Sequence, residues 1–345
     1  MPQLTNTPGE VAKVGIIIPC YQEEKYIEQC ILSCLKQNTT ANLHVYVVDG
    51  QSQDQSVNRI QKISIEYPGK VSLLMNKMKV TPISLNIGLK ASQDDFKMIL
   101  GAHSILPENF IQECLMSFHN EPSAHCVGGI IENQYSNKTS EDIGMAMSSV
   151  FGVGNATFRT GGEAKWVDTV AFGMYRKEVF EKIGWFNEDL IRNQDDEFNF
   201  RMTQAGMSIY FNPTIRSAYF VRSSYLKLWN QYFQYGFWKV YVNLLHKRVT
   251  TFRQLFPALF IAYLAGLVIL PLLSNPLQWI GITPLIAYFL LGISFAFKKN
   301  KKRTFPITLV FLLLHLGYGL GYWKGIIQLG VFKLKPKVQD AKHNR

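Results

Sequence analysis

Three uncharged apolar runs fill most of the last quarter of the chain, and they limit its fold more than any other feature. They extend from Pro257 to Leu273, from Leu277 to Phe297 and from Phe305 to Trp323. Each approaches the roughly 17 to 25 apolar residues that a helix needs to cross a bilayer core of about 30 Å. The composition of 47% hydrophobic and 18% charged residues therefore averages two unlike regions. Charge divides in the same way. From Val242 onward 14 lysines and arginines face one acid, Asp340, whereas the residues before it carry 22 basic and 24 acidic side chains. The formal charge of +11 thus sits beside the apolar runs, where it meets anionic headgroups and sets topology. That distribution argues against a nucleic-acid partner and for membrane lipids.

The basic groups His246-Lys247-Arg248, Arg253 and Lys298 to Arg303 flank the first two runs, and the turn Ser274-Asn275-Pro276 between them is uncharged. The positive-inside rule then predicts a multi-pass protein of the inner membrane, with the N-terminal domain and the 298–303 loop in the cytoplasm. Met1 to Glu10 is polar, without the apolar core of a signal peptide. The third run has two readings. It spans, or its Gly317, Gly319, Gly321 and His315 make it re-entrant or packed in protein. The expected organisation is a catalytic domain over 1–224, an amphipathic interfacial helix region over 225–254, a transmembrane region over 255–330 and a basic tail over 331–345.

Ahead of the runs the pattern is α/β. Lys13 to Pro19, Leu43 to Val48, Val71 to Met75 and Lys97 to Leu100 read as short strands rich in β-branched residues. Helical stretches over Tyr26 to Gln37, Gln55 to Tyr67 and Ile83 to Ala91 alternate with them, the signature of a parallel, doubly wound sheet. Such sheets bind ligands beyond the carboxyl ends of their strands. Tyr135 to Lys165 lacks periodicity and reads as loops and short helices around a site. A helix over Asp195 to Ala205 stops at Gly206, and Tyr225 to Leu245 reads as an aromatic interfacial helix. Cys20, Cys30, Cys34, Cys114 and Cys126 have no accompanying histidine pair, so they read as buried, reduced thiols rather than a zinc site.

Two polar clusters close the first two strands: Pro19-Cys20-Tyr21-Gln22-Glu23-Glu24 and Asp49-Gly50-Gln51-Ser52-Gln53-Asp54. Carboxylates at adjacent strand ends can accept hydrogen bonds from a nucleobase and from ribose hydroxyls. Either alone is an ordinary turn composition. Three consecutive acids, Asp195, Asp196 and Glu197, open a later helix, where the macrodipole favours them.

Together these segments resemble family 2 glycosyltransferases of the GT-A fold. Thr81-Pro82, Leu85-Asn86-Ile87-Gly88, Phe151 to Asn155, Val167 to Gly173, Arg192 to Glu197 and Gln231 to Gly236 resemble the branch of bacterial succinoglycan biosynthesis glycosyltransferases. The resemblance implies a Rossmann-like GT-A domain and an inverting hexosyltransferase. Its donor would be a nucleotide sugar, most often a UDP-sugar, and its acceptor a lipid-linked saccharide or polysaccharide. Pro19, Tyr21, Glu23, Asp49, Ser52 and Asp54 would then line the nucleoside pocket. Asp195 stands where the family places its general base, in a Gln-Asp rather than the usual Glu-Asp. Asp168, Asp196, Gln231, Gln234 and Tyr235 would serve acceptor or diphosphate, with Trp166 beside them or in the core. The family's Asp-x-Asp or Asp-Ala-His metal motif corresponds to Leu100-Gly101-Ala102-His103-Ser104 here. Gly101 replaces the first carboxylate and leaves His103 the one conventional ligand for Mg²⁺ or Mn²⁺, or cationic groups replace the ion. Two other roles stay open: synthesis of a polyprenyl-phosphate monosaccharide, and a silent GT-A scaffold.

Overall fold

The structure is a computed structural model that describes residues 11–268 and 275–336. Its elements begin with β1 (Lys13–Cys20), α1 (Ile27–Leu35), β2 (Asn42–Asp49), α2 (Ser56–Glu66), β3 (Val71–Met75), α3 (Thr81–Ala91) and β4 (Phe96–Ile99). Then come α4 (Phe110–Asn120), β5 (Ala124–Gln134), α5 (Lys138–Met147), α6 (Val150–Val153), α7 (Thr157–Thr160), β6 (Lys165–Val167) and β7 (Ala171–Arg176). The remainder is α8 (Lys177–Ile183), α9 (Gln194–Gln204), β8 (Ser208–Phe220), α10 (Tyr225–Leu245), α11 (Phe256–Gly266), α12 (Asn275–Lys299) and α13 (Thr304–Gly325).

The chain divides into two compact units, Met1–Asn133 with Gly161–Phe220, and Gln134–Thr160 with Val221–Arg345. The single boundary expected near 224 is thus joined by an excursion. The stretch Tyr135 to Lys165, read from sequence as loops and short helices around a site, does hold short helices, and its residues 134–160 group with the C-terminal helices. They include α5, whose N-terminus is closed by a reciprocal capping box between Asn137 and Ser140.

Unit 1 is built on an eight-stranded sheet of order β3-β2-β1-β4-β7-β5-β8-β6. The first four strands are parallel, and β7 joins β4 antiparallel with Met98 opposite Met174. The strands reading continuously apolar are the parallel ones, because both faces are covered. Ile16 and Ile18 of β1 face a core with Ile27, Cys30, Ile31 and Cys34 of α1 and Phe110 and Phe118 of α4. Ile17 points the other way, toward Leu85 and Leu89 of α3, Phe180 of α8 and Phe198 of α9. All five cysteines are buried free thiols.

Two residues of the Leu85-Asn86-Ile87-Gly88 motif act inside this layer. A Cβ on Gly88 would stand 2.6 Å from Ile17 Cγ2, so glycine lets α3 lie on β1. Asn86 is buried and clamps the loop after α8: it donates to the carbonyl of Phe186 (2.9 Å) and to Glu188 (2.9 Å), and accepts from the Phe186 amide (3.0 Å).

Unit 2 gathers α5–α7 and α10–α13. α10 has the bounds expected from sequence, and it is packed along one side against α13. Trp238 and Lys239 are buried, as are Gln231 and Gln234. The cause is close backbone approach: a methyl on Gly236 would overlap the carbonyl of Tyr318, and one on Gly321 that of Phe233. The third apolar run is accordingly one continuous helix whose glycines serve packing, and its His315 meets the Tyr288 hydroxyl at 2.8 Å. A break at those glycines, the re-entrant reading, is absent from α13. Ile280–Lys299 and Lys301–Val331 are long and apolar enough to cross a membrane, while Phe252–Gly266 is shorter. The end of the first run, Ser274 of the following turn and the last nine residues of the basic tail lie outside the described residues. Within α12, Pro284 opens a turn, and Tyr263 repairs it by donating to the Gly281 carbonyl (2.8 Å) and accepting from the Leu285 amide (3.1 Å).

Asn86→Leu should lower the thermal midpoint of the detergent-solubilised protein, since it strands the buried amide and carbonyl of Phe186. A buried polar group left unpaired costs about 1–3 kcal/mol. An unchanged midpoint would mean that the clamp contributes nothing to folding.

Candidate active site

Parallel pairing brings the carboxyl ends of β3, β2, β1 and β4 to one edge of the sheet in unit 1. The loops that follow are stitched together by main-chain bonds, from the Gly50 amide to the Cys20 carbonyl (2.8 Å) and from the Asn76 amide to the Asp49 carbonyl (2.7 Å). Asp49, fully buried, accepts from the amide and hydroxyl of Ser52 at 2.8 and 2.6 Å, and the Gln22 amide donates to that hydroxyl at 2.7 Å. Asp54 accepts from the amides of Glu24 (3.2 Å) and Ser56 (3.0 Å). Burial pushes the Cys20 thiol, at the end of β1, up, and the fields of Asp49 and Glu23, then Asp54, push it further. Tyr21 lies beside them, with the Lys79 ammonium 5.8 Å from its ring centre.

His103, in the loop after β4, reaches the same place: its Nδ1 stands 3.6 Å from Oε1 of Glu23. The start of β7 borders it, since a Cβ on Gly101 would lie 3.9 Å from the Phe172 ring. The edge is also where backbone strain collects. Gln22, Gln51, Lys79, Phe172 and Asn193 all have φ between 46 and 61°. They are the described non-glycine residues of unit 1 in the left-handed region; Gln22, Gln51, Lys79 and Asn193 sit in connections at this edge, and Phe172 is the second residue of β7. Such conformations cost roughly 1–2 kcal/mol apiece and concentrate where a site demands them.

Topology carries α9 to the same edge. α9 leads into β8, whose first residue, Ser208, donates to the Ser123 carbonyl and meets His125 at the start of β5. Arg176, ending β7, reaches Ala124 there, and β7 runs antiparallel to β4. This is the amino end of the parallel strands, so the first turn of α9 points to the carboxyl end. Asp195 is exposed in that turn. One turn on, Asn199 donates to Thr169 (3.1 Å) and thereby holds the segment carrying exposed Asp168 against α9. Glu197 is not a site acid: it is buried and held by Arg201 through bonds of 2.7 and 3.1 Å. Asp195 lies three and four residues before the buried Phe198 and Asn199 and seven before Met202, on the stripe of α9 that faces the sheet.

Trp166 is 47% exposed on edge strand β6, against Tyr210, so it is not a core residue. Gln231, Gln234 and Tyr235 belong to unit 2. There Arg222 donates to Gln231 (3.2 Å) and Gln231 to the Tyr235 hydroxyl (2.7 Å), a relay absent from the sequence reading. Another feature missed was the aromatic pair Tyr26 and Phe220, 44% and 40% exposed with ring centres 6.1 Å apart.

Residues 15–184 match the family described as Glycosyl transferase family 2. The chain carries a family 2 glycosyltransferase domain. It is 28% identical over 322 residues to the dolichyl N-acetyl-alpha-D-glucosaminyl phosphate 3-beta-D-2,3-diacetamido-2,3-dideoxy-beta-D-glucuronosyltransferase of Methanococcus voltae, covering 91% of this chain and 97% of that one. Succinoglycan biosynthesis protein ExoA of Rhizobium meliloti is 24% identical, over 90% and 94% of the two chains. Among solved structures, mannosyltransferase PcManGT of Pyrobaculum calidifontis with GDP-Man and Mn²⁺ superposes with a TM-score of 0.62 at 15% identity, covering 90% of this chain and 88% of that one. S. aureus TarS 1–349 with UDP gives 0.53 at 15% identity, over 92% of each. The fold of this glycosyltransferase is therefore GT-A, an α/β fold, as the motifs implied.

The Asp54 carboxyl gives a pH test. Burial pushes it up, but hydrogen bonds from Ser56 and Glu24 outweigh that and leave it below the ordinary value of 3.8. A depressed folded value stabilises the protein above the unfolded one, and the gain fades as pH falls through the folded one. The deficit in thermal midpoint of Asp54→Asn relative to wild type should therefore be full at pH 7 and shrink below about pH 4. A deficit that grows on acidification would contradict the assignment.

Proposed function

We propose that this glycosyltransferase inverts the anomeric centre of a nucleoside-diphosphate sugar while moving it to a lipid-linked saccharide, in the synthesis of an exopolysaccharide or related envelope glycan. The observation that carries this reading is the arrival of the β1, β2 and β4 loops and the first turn of α9 at one sheet edge. In the mechanism, Tyr21, Glu23, Asp49, Ser52 and Asp54, with Pro19 ending the strand, shape the nucleoside pocket. Asp49 does so by fixing Ser52 and through it the Gln22 amide. Asp195 takes the proton of the acceptor hydroxyl as its oxygen attacks the anomeric carbon and the diphosphate leaves. Asp168 and Asp196 flank that base, and Gln231, Gln234 and Tyr235 belong to the acceptor or diphosphate side. A UDP-sugar is the favoured donor. The relative from Methanococcus voltae, named for a dolichyl-linked acceptor and matched along nearly its whole length, supports the lipid-linked acceptor. The two long apolar helices and the basic 298–303 segment support a multi-pass inner-membrane protein with its catalytic domain in the cytoplasm.

The test is transfer of labelled sugar by the full-length protein in lipid nanodiscs to extracted lipid acceptors, with and without a preassembled sugar. Asp195→Asn should lower kcat by roughly 10²–10⁴-fold, the usual share of general base catalysis, while donor binding persists. A product of retained configuration, or a variant as fast as wild type, would overturn the mechanism. Transfer to bare polyprenyl phosphate alone would instead mark a lipid-linked monosaccharide synthase.

A further inference from the structure

The Glu23–His103 contact is odd for an ion pair. At 3.6 Å it exceeds a good hydrogen bond, yet one ion with bonds of about 2.1 Å to each partner would span it. The pair opens to one side, with the Glu23 side chain 15% exposed and the imidazole 43%. The backbone of Glu23 is also held in place. Its amide donates to Ser56 Oγ (2.8 Å), and its carbonyl accepts from the amides of Tyr26 and Ile27, both at 2.9 Å. Position 101 is sterically able to carry a side chain: a Cβ there would be 3.4 Å from Ser104 Oγ and 4.0 Å from the His103 ring, and its φ is not left-handed. The carboxylate missing from that loop thus has a counterpart on the neighbouring strand's loop.

We propose that Glu23 and His103 together form a divalent-cation site, the carboxylate coming from the β1 loop instead of from position 101. The inference rests on the nucleotide-sugar reading, because diphosphate oxygens must complete the coordination. Among the described residues no group of three or more His, Cys, Asp or Glu side chains could hold an ion unaided. Two protein ligands plus substrate phosphates is an ordinary arrangement for such ions. One imidazole nitrogen beside one carboxylate oxygen selects Mn²⁺ over Mg²⁺, which prefers an all-oxygen shell. The ion therefore binds weakly alone and firmly with nucleotide.

The experiment titrates Mn²⁺ into the full-length protein in detergent, reading free Mn²⁺ by electron paramagnetic resonance, with UDP, with GDP and with neither. Wild type should hold Mn²⁺ at least about tenfold more tightly with one of the diphosphates, and Glu23→Gln and His103→Gln should each lose about tenfold or more of that affinity. Adding Gly101→Asp to Glu23→Gln should restore it. Unchanged Mn²⁺ affinity in both single variants overturns the site. So does diphosphate binding of equal strength in chelator and in Mn²⁺. If neither UDP nor GDP binds under any condition, the donor reading fails as well, which separates the two.

Discussion

Parallel pairing of β1 with β2 on one side and β4 on the other is the constraint on which the rest of unit 1 depends. It places three connections at one edge, although their polar clusters are separated by some 30 to 50 residues of chain. The pairing needs β1 buried on both faces, hence its unbroken Ile16-Ile17-Ile18. The helices must also approach closely, hence Gly88 under α3 and Gly15, whose missing side chain leaves room for Ser92 and Asp94. A slip of one residue would turn Ile17 toward α1 and Ile16 and Ile18 toward α3, exchanging the two cores.

The polar groups at that edge then follow from satisfying buried hydrogen-bonding groups. A carboxylate as buried as Asp49 is tolerable only with partners, and Ser52 supplies two bonds from one residue. Gln51, between Asp49 and Ser52, and Gln22, whose amide donates to Ser52, both hold left-handed backbones. The strain is local and the sheet beneath it is broad, so the strain is carried without loss of the fold. A loop relaxed to ordinary dihedrals would release the Gln22 amide from Ser52 and with it the link between the first two loops.

Much of this was legible in the sequence. The first four strands and their helices lie within a few residues of where periodicity placed them, because each is a short, strongly apolar segment bounded by polar turns. The antiparallel half was not legible. β5 contains Gly128 and Gly129, β7 contains Gly173, and β8 mixes Asn, Pro, Thr and Arg with its apolar residues, so no clean alternation marks them. Their pairing is long-range, and β7 is recognisable only once β4 stands beside it. α5 was hidden for another reason: Lys138 to Met147 is polar and Gly-containing, and its stability comes from a capping box and from Asp142 meeting Arg303, 161 residues away. Motif residues divided in the same way. Asn86 and Gly88 carry the family resemblance, yet their contacts are those of packing residues, and spacing alone could not tell them from ligand-binding ones.

The C-terminal unit shows why composition reads membrane proximity better than it reads packing. An aromatic helix beside apolar runs suggests a belt at a lipid surface, and α10 has that composition. What decides its environment is where the glycines fall on both partners. Gly236 on α10 and Gly317 and Gly321 on α13 let two backbones meet, and Tyr232, Phe237 and Trp238 of α10 are enclosed there. Enclosure changes the meaning of the polar residues on α10. Gln231 at a lipid interface would be a solvated side chain, whereas Gln231 in a packed helix must be hydrogen-bonded, and the Arg222–Gln231–Tyr235 relay is how that demand is met. The relay runs from Arg222 through the buried Gln231 to the Tyr235 hydroxyl, so the side chains on this part of α10 hold a defined hydrogen-bonding direction, which a solvated interfacial helix would not impose.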